Sequence, residues 1–137
     1  MAYAQWVSVT IVNLVHTGLI TVQDAQMIWG KFYEGENKNS EILPEQVNKT
    51  TVASGAQASV GASGRSDSSS GVEGSFSLFL GGQKICGVYF SCPWGDKWND
   101  FQLKDYDAAT SPYSITTSPI NRDSGALGNV TVTVLSR

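Results

Sequence analysis

The stretch that decides the fold lies at residues 74–91, which read GSFSLFLGGQKICGVYFS. From 74 to 80, Phe76, Leu78 and Leu80 fall on one face, and this period of two is typical of a strand with one buried face. Gly81 and Gly82 then supply a two-residue turn of the kind that joins two paired strands. Residues 85–91 follow as the partner strand, so the stretch predicts a β-hairpin.

The same alternation recurs along the chain in short pieces. Loops are predicted at 34–40 and 64–74, and a short helical or extended segment at 41–48. The regular spacing of about nine short strands is typical of a sandwich or a barrel, and it predicts one all-β domain over residues 1–137. The other predicted strands are residues 7–12, 19–25, 27–33, 56–62, 100–103, 112–117 and 130–135.

Charge and terminal sequence narrow the possible partners. The net charge is −3 and lysines and arginines form no cluster, which argues against nucleic acid and against attraction to anionic lipids. A neutral or zwitterionic partner stays open. The first residues lack the basic and apolar regions of a signal peptide, so we expect a cytoplasmic or non-classically secreted protein. No apolar run is long enough for a transmembrane helix.

The residues that carry catalytic chemistry are few. Cys86 and Cys92 lie six residues apart on one predicted strand, roughly 20 Å if extended, whereas a disulfide needs Cα atoms within about 7 Å. Two free thiols are therefore expected. His16 is the only histidine. A hydrolase in which His16 activates a cysteine is one functional hypothesis, and it is less favoured than the two binding functions described below. We predict that the protein is not an enzyme.

Metal and cofactor sites are not predicted either. One histidine and two cysteines on the same strand cannot supply a tetrahedral zinc site. Four aspartates lie close together in the sequence but lack the spacing of a calcium-binding EF-hand loop, so they are interpreted as solvated loop charges. They are Asp96, Asp100, Asp105 and Asp107.

A tryptophan-rich turn is the clearest candidate for a binding surface. Residues 92–99 read CPWGDKWN, and Pro93 and Gly95 bracket Trp94 in a tight turn. A large ring on a turn either contacts a partner or folds back over the core, and the turn alone leaves both alternatives open.

Further aromatic residues extend this hypothesis. Trp6 falls on the polar side of the first strand, and Trp29 stands beside a glycine and a lysine. Tryptophan faces attract quaternary ammonium groups, while Arg65 and Lys97 are able to donate to a phosphate. Such a set would suit a phosphocholine or phosphoethanolamine headgroup at a membrane surface. The alternative is that Trp29 and Trp98 belong to the core and that Arg65 is a solvated charge.

Five short motifs give the chain a family resemblance. In their order and spacing they are similar to those of the aegerolysins, small acidic proteins of fungi and bacteria. The likeness extends from Tyr3 to the last strand. The motifs are MAYAQWV at 1–7, WGK at 29–31, GRSD at 64–67, CPWG at 92–95 with Lys97 and Asn99, and DSGALG at 123–128.

The resemblance implies a β-sandwich similar to the actinoporin-like pore-forming fold. It also implies binding to sphingomyelin with cholesterol or to ceramide phosphoethanolamine, and lysis with a larger perforin-like (MACPF) partner. Trp6, Trp29 and Trp94 would then face the lipid. Arg65 and Lys97 fall in the matching motifs, and we infer from their charge that they contact the headgroup. Some members that bind sphingomyelin with cholesterol carry a glutamate where this chain has Ser70, so the choice of lipid stays open. A soluble carbohydrate-binding, lectin-like module is the alternative function, because rings on loops also stack on sugars.

Overall fold

The computed structural model describes residues 4–65, 71–95 and 97–137. Within them the chain forms eleven strands and one short helix. The elements are β1 Trp6–Leu14, β2 Ile20–Trp29, β3 Lys31–Glu34, β4 Asn37–Ile42, α1 Pro44–Val47, β5 Thr51–Val52, β6 Gln57–Ser63, β7 Val72–Leu80, β8 Gln83–Cys92, β9 Asp100–Lys104, β10 Tyr113–Thr117 and β11 Gly128–Ser136.

The strands form two sheets that pack face to face as a β-sandwich, which confirms the predicted fold class. The six-stranded sheet has the order β10-β11-β1-β6-β3-β4, and the five-stranded sheet has the order β5-β2-β7-β8-β9. Strands β1 and β11 pair in parallel, and the other neighbours are antiparallel. Phe32 of one sheet meets Phe90 of the other edge-on, with ring centroids 6.4 Å apart.

The core is built from the inward-facing residues of both sheets, as alternation predicts. Along β1 every second residue is buried, and Trp6 lies on the outer side as expected. The hairpin of β7 and β8 is also confirmed, with its turn at Gly81 and Gly82. Cys86 and Cys92 are both fully buried free thiols on β8, which confirms that they form no disulfide.

Several predicted boundaries are wrong. Strand β7 begins at Val72, within the loop expected at 64–74. The loop expected at 34–40 is a tight hairpin, since β4 begins at Asn37 and pairs with β3. The break expected near Gln26 does not end the strand either. A register shift there, with Asp24 at a φ of 56°, lets β2 continue to Trp29. The chain then leaves the five-stranded sheet at Gly30 and enters the six-stranded sheet as β3.

Candidate functional site

Several strand ends meet at one end of the sandwich, and the predicted site residues lie at these ends. In the six-stranded sheet, Trp6 at the start of β1 pairs with Ser63 at the end of β6. In the five-stranded sheet, Trp29 at the end of β2 pairs with Glu73 near the start of β7. The single residue Gly30 joins the two sheets here, so these rows belong to the same end of the molecule.

Three tryptophans at this end are exposed. Trp29 is 65% exposed, Trp94 is 49% exposed and Trp98 is 83% exposed. The alternative that Trp29 and Trp98 belong to the core is therefore wrong. Each ring leaves apolar area in water, and exposed apolar residues that lie together mark an interaction site more often than singly exposed ones do.

Trp29 and Trp94 are brought together as two walls of an open cavity of about 340 Å³. Its lining combines the two rings with two polar residues and three small or apolar ones. The remaining lining residues are Gly71, Val72, Glu73, Ser91 and Pro93. This volume lies at the lower end of the range for small-molecule sites, and it suits a headgroup-sized ligand.

The Trp94 turn packs against the backbone at the start of β7. A Cβ atom placed on Gly71 would lie 2.5 Å from the Cys92 carbonyl oxygen and 2.8 Å from the Trp94 amide nitrogen. Only glycine permits this approach without displacing one of the two segments. The close contact fixes the position of Trp94 relative to the strand that carries Glu73.

A second contact holds the turn from the other side. The Asn99 side-chain amide is buried and donates to the carbonyl oxygens of Asn121 (3.0 Å) and Gly125 (3.1 Å). The Cys92 thiol donates to the same Gly125 oxygen at 3.0 Å. The segment at 121–125, which overlaps the DSGALG motif, therefore supports the tryptophan turn.

Replacing Asn99 with alanine is expected to lower the free energy of unfolding by about 1–3 kcal/mol, because the Asn121 carbonyl oxygen loses the Asn99 donor and the Gly125 carbonyl oxygen keeps only the weak thiol donor of Cys92. Urea unfolding measures this loss. Asn129→Ala on the exposed side of β11 is the control and should change stability by less than about 0.5 kcal/mol. Equal stability of the two variants would show that the Asn99 contacts do not hold the turn.

Trp6 is partly buried, and a lysine ammonium group lies over its ring. The Lys38 ammonium nitrogen lies 4.3 Å from the Trp6 ring centroid and 5.5 Å from that of Tyr33. Trp6 shares the end of the sandwich with Trp29 and Trp94 but is not part of the cavity lining. Its contact with lipid stays a prediction.

The two predicted cationic contacts differ in their surroundings. Arg65 forms a two-pronged ion pair with Glu41 of β4, at 2.8 and 3.2 Å, and its hydrogen bonds lower the pKa of that carboxyl. Lys97 is exposed three residues after Trp94. Neither side chain lines the cavity, and their role as headgroup contacts stays a prediction.

A polar pair that sequence reasoning missed lies beside the rings. The Tyr89 hydroxyl donates to the Glu73 carboxylate at 2.6 Å. Burial first, and then this hydrogen bond, raises the pKa of Tyr89 to about 12. Glu73 falls one residue before the end of the predicted loop 64–74, where no periodicity marks it. Only the pairing of β2, β7 and β8 shows that it lies between the tryptophans.

Nucleophilic chemistry is disfavoured by the surroundings of both thiols. Burial raises the pKa of Cys86 to about 12 and also raises the pKa of Cys92, which suppresses the reactive thiolate. Cys92 lies beside Trp6, at the start of β1. His16 follows the other end of this strand, and the strand is roughly 26 Å long. The structure thus gives no support to a His16–Cys92 pair.

The described residues bear on only some of the remaining expectations, which concern metal sites, membrane-spanning helices and individual motif residues. Three or more His, Cys, Asp or Glu side chains do not gather into a metal-binding group anywhere in the described ranges. Across those same ranges, no helix has the length and hydrophobicity to span a membrane. Tyr3, Asp67, Ser70 and Asp96 lie outside the described residues, so the interpretations placed on them are not examined by the structure.

Comparison with known proteins identifies the family. The family model described as Aegerolysin matches residues 4–137. The chain belongs to the aegerolysin family. Among other aegerolysins, it is 40% identical over 133 residues to Asp-hemolysin of Aspergillus fumigatus, covering 97% of this chain and 94% of that one. It is also 32% identical to ostreolysin A6 of Pleurotus ostreatus, covering 100% and 99%.

A solved structure agrees with the assignment to the aegerolysins. The crystal structure of RahU superposes with a TM-score of 0.88 at 32% sequence identity, and the match covers 99% of this chain and 98% of RahU. The family resemblance predicted from the five motifs is therefore confirmed.

Proposed function

We propose that this aegerolysin binds membranes that contain a sphingolipid, with the Trp29–Trp94 cavity as the headgroup site. The observation that carries the proposal is the pair of exposed rings that wall a cavity of about 340 Å³ at one end of the sandwich. Tryptophan suits the membrane interface, because its ring is apolar and its indole N–H is polar. Its face also attracts an ammonium group.

The charge of the protein agrees with a zwitterionic lipid. The net charge of −3 gives no general attraction to an anionic surface, so affinity has to come from the rings and from specific polar contacts. Lys97, exposed beside the Trp94 turn, is the proposed partner for the lipid phosphate. Arg65 is proposed to act with it, although its guanidinium is also paired with Glu41.

By the family resemblance, we propose in addition that the protein recognises the target membrane and that a larger perforin-like partner completes lysis. The names Asp-hemolysin and ostreolysin describe lytic activity in two relatives. The protein would then act at the surface of the target membrane. Addition of this protein alone to dye-loaded sphingolipid vesicles is expected to cause no leakage.

Co-sedimentation with vesicles of defined composition tests the lipid-binding proposal. We expect binding to vesicles of sphingomyelin with cholesterol or of ceramide phosphoethanolamine, and none to vesicles of phosphatidylcholine alone. Each sphingolipid is tested with and without sterol. Absence of binding to every sphingolipid vesicle, together with binding to immobilised glycans that free sugar competes away, would favour the lectin-like alternative.

A further inference from the structure

The described lining of the cavity includes the carboxylate of Glu73, and the register of the sheet places it beside a tryptophan. Trp29, Glu73 and Ser91 are direct partners across β2, β7 and β8. Their chain neighbours Val72 and Cys92 are buried at 1% and 0% exposure, so this row lies on the outer face of the sheet. Glu73 and Ser91 both line the cavity with Trp29 and Trp94.

The Glu73 carboxylate is held in position by the next strand. Tyr89 is its diagonal neighbour on β8, because Glu73 pairs with Ser91 and Tyr89 pairs with Ser75. The Tyr89 hydroxyl donates to Glu73 Oε2 at 2.6 Å. An ionised carboxylate has about four acceptor positions on its two oxygens, so one hydrogen bond orients the group and uses only part of its capacity.

The other charges near this row do not replace Glu73. Asp100 of β9 follows Ser91 in the same row, and its carboxylate lies 3.7 Å from the Arg122 guanidinium. The Lys104 ammonium nitrogen lies 5.4 Å from the Tyr89 ring centroid. Among the described residues that line the cavity, Glu73 is the one with a charged side chain. A negative group between aromatic walls favours a cation in the space between them.

We propose that Glu73 accepts hydrogen bonds from a primary ammonium group and so makes the cavity select phosphoethanolamine over phosphocholine. The inference rests on the proposed headgroup site and names the chemistry that this site prefers. The ammonium groups of both headgroups are attracted to the tryptophan faces by cation–π interaction. Only a primary ammonium has N–H donors for Glu73, since the nitrogen of choline carries three methyl groups and no hydrogen.

Soluble headgroups test this selectivity without a membrane. The wild-type protein, Glu73→Gln and the control Glu45→Gln on the exposed helix α1 are titrated with phosphoethanolamine and with phosphocholine, followed by NMR. Because hydrogen bonds to charged groups are the stronger class, wild type is expected to favour phosphoethanolamine by about tenfold. Glu73→Gln should abolish this preference, whereas Glu45→Gln should retain it.

Tyr89→Phe separates direct contact from support. This variant keeps Glu73 and the aromatic ring but removes the hydroxyl that orients the carboxylate. Retention of the preference in Tyr89→Phe supports contact between Glu73 and the ammonium. A loss equal to that of Glu73→Gln would overturn it.

Vesicles of ceramide phosphoethanolamine and of sphingomyelin, each with and without cholesterol, distinguish this inference from the proposed function. Wild type that binds both lipids equally, or Glu73→Gln that keeps a preference, overturns the role of Glu73 and leaves the lipid-binding proposal standing. Wild type that binds neither vesicle but prefers soluble phosphoethanolamine supports the role of Glu73 and overturns the membrane proposal.

Discussion

Replacing both Trp29 and Trp94 with alanine is expected to lower the affinity for sphingolipid vesicles by about 100-fold or more while the sandwich stays folded. Loss of a well-placed aromatic anchor costs about 1–3 kcal/mol, and each 1.4 kcal/mol is tenfold in affinity. The two rings wall one cavity, so removing both leaves a headgroup without either face. Both side chains lie outside the buried core, which is why the fold should survive.

Vesicle flotation gives the affinity, and thermal unfolding followed by circular dichroism gives the Tm. The matched control is Leu19→Ala, because Leu19 is 47% exposed and precedes β2 at the opposite end from Trp29. It should bind as wild type does. A double variant that keeps its affinity within about threefold would contradict the proposed site, since a true anchor pair contributes more. Loss of binding accompanied by a collapse of the Tm would show instead that Trp94 packs as a core corner.

Local patterns in the sequence account for much of the fold. The hairpin of β7 and β8 was predictable because alternation and two adjacent glycines lie within one short stretch. The placement of Trp6 on the outer side of β1 follows from the same period of two. Trp94 was predictable as a candidate binding residue because Pro93 and Gly95 place it in a turn, where tryptophan is uncommon.

Contacts between distant residues could not be predicted in this way. Arg65 pairs with Glu41, 24 positions earlier, and Asn99 donates to Gly125, 26 positions later. Glu73 joins the cavity only through the pairing of β2, β7 and β8. Period and turn chemistry describe one strand at a time, whereas these contacts depend on which strands become neighbours.

Sheet crossing explains why the boundary of β2 was also misplaced. The apolar pattern is interrupted by Gln23, Asp24 and Gln26 and resumes from Met27 to Tyr33, so periodicity favours a break near Gln26 and gives no reason to place it at Gly30. The break is set by packing, because at this residue the chain passes from one sheet to the other. Gly30 has a φ of 89° and lies against the backbones of β6 and of the segment that enters β7.

Replacing Gly30 with alanine is therefore expected to lower the free energy of unfolding by about 2–5 kcal/mol. A positive φ costs an L-residue about 1–2 kcal/mol, and forcing an extra methyl into a packed site costs about 1–3 kcal/mol more. The added Cβ would lie 2.5 Å from the Ser63 carbonyl oxygen and 3.1 Å from that of Gly71. Both are backbone atoms, so no side chain is able to move aside to relieve the contact.

Gly55→Ala is the matched control for the clash at Gly30. Gly55 has a φ of 83°, close to that of Gly30, but an added Cβ would meet nothing within 4 Å. It should therefore lose only the backbone cost of about 1–2 kcal/mol. Urea unfolding of both variants measures the difference in the free energy of unfolding. If Gly30→Ala does not fold at all while Gly55→Ala does, the larger loss at Gly30 is likewise confirmed. Equal losses of stability in the two variants would show that the backbone around Gly30 shifts to accept the methyl group. The positions of Trp29 and Glu73 would then not depend on a fixed crossing between the sheets.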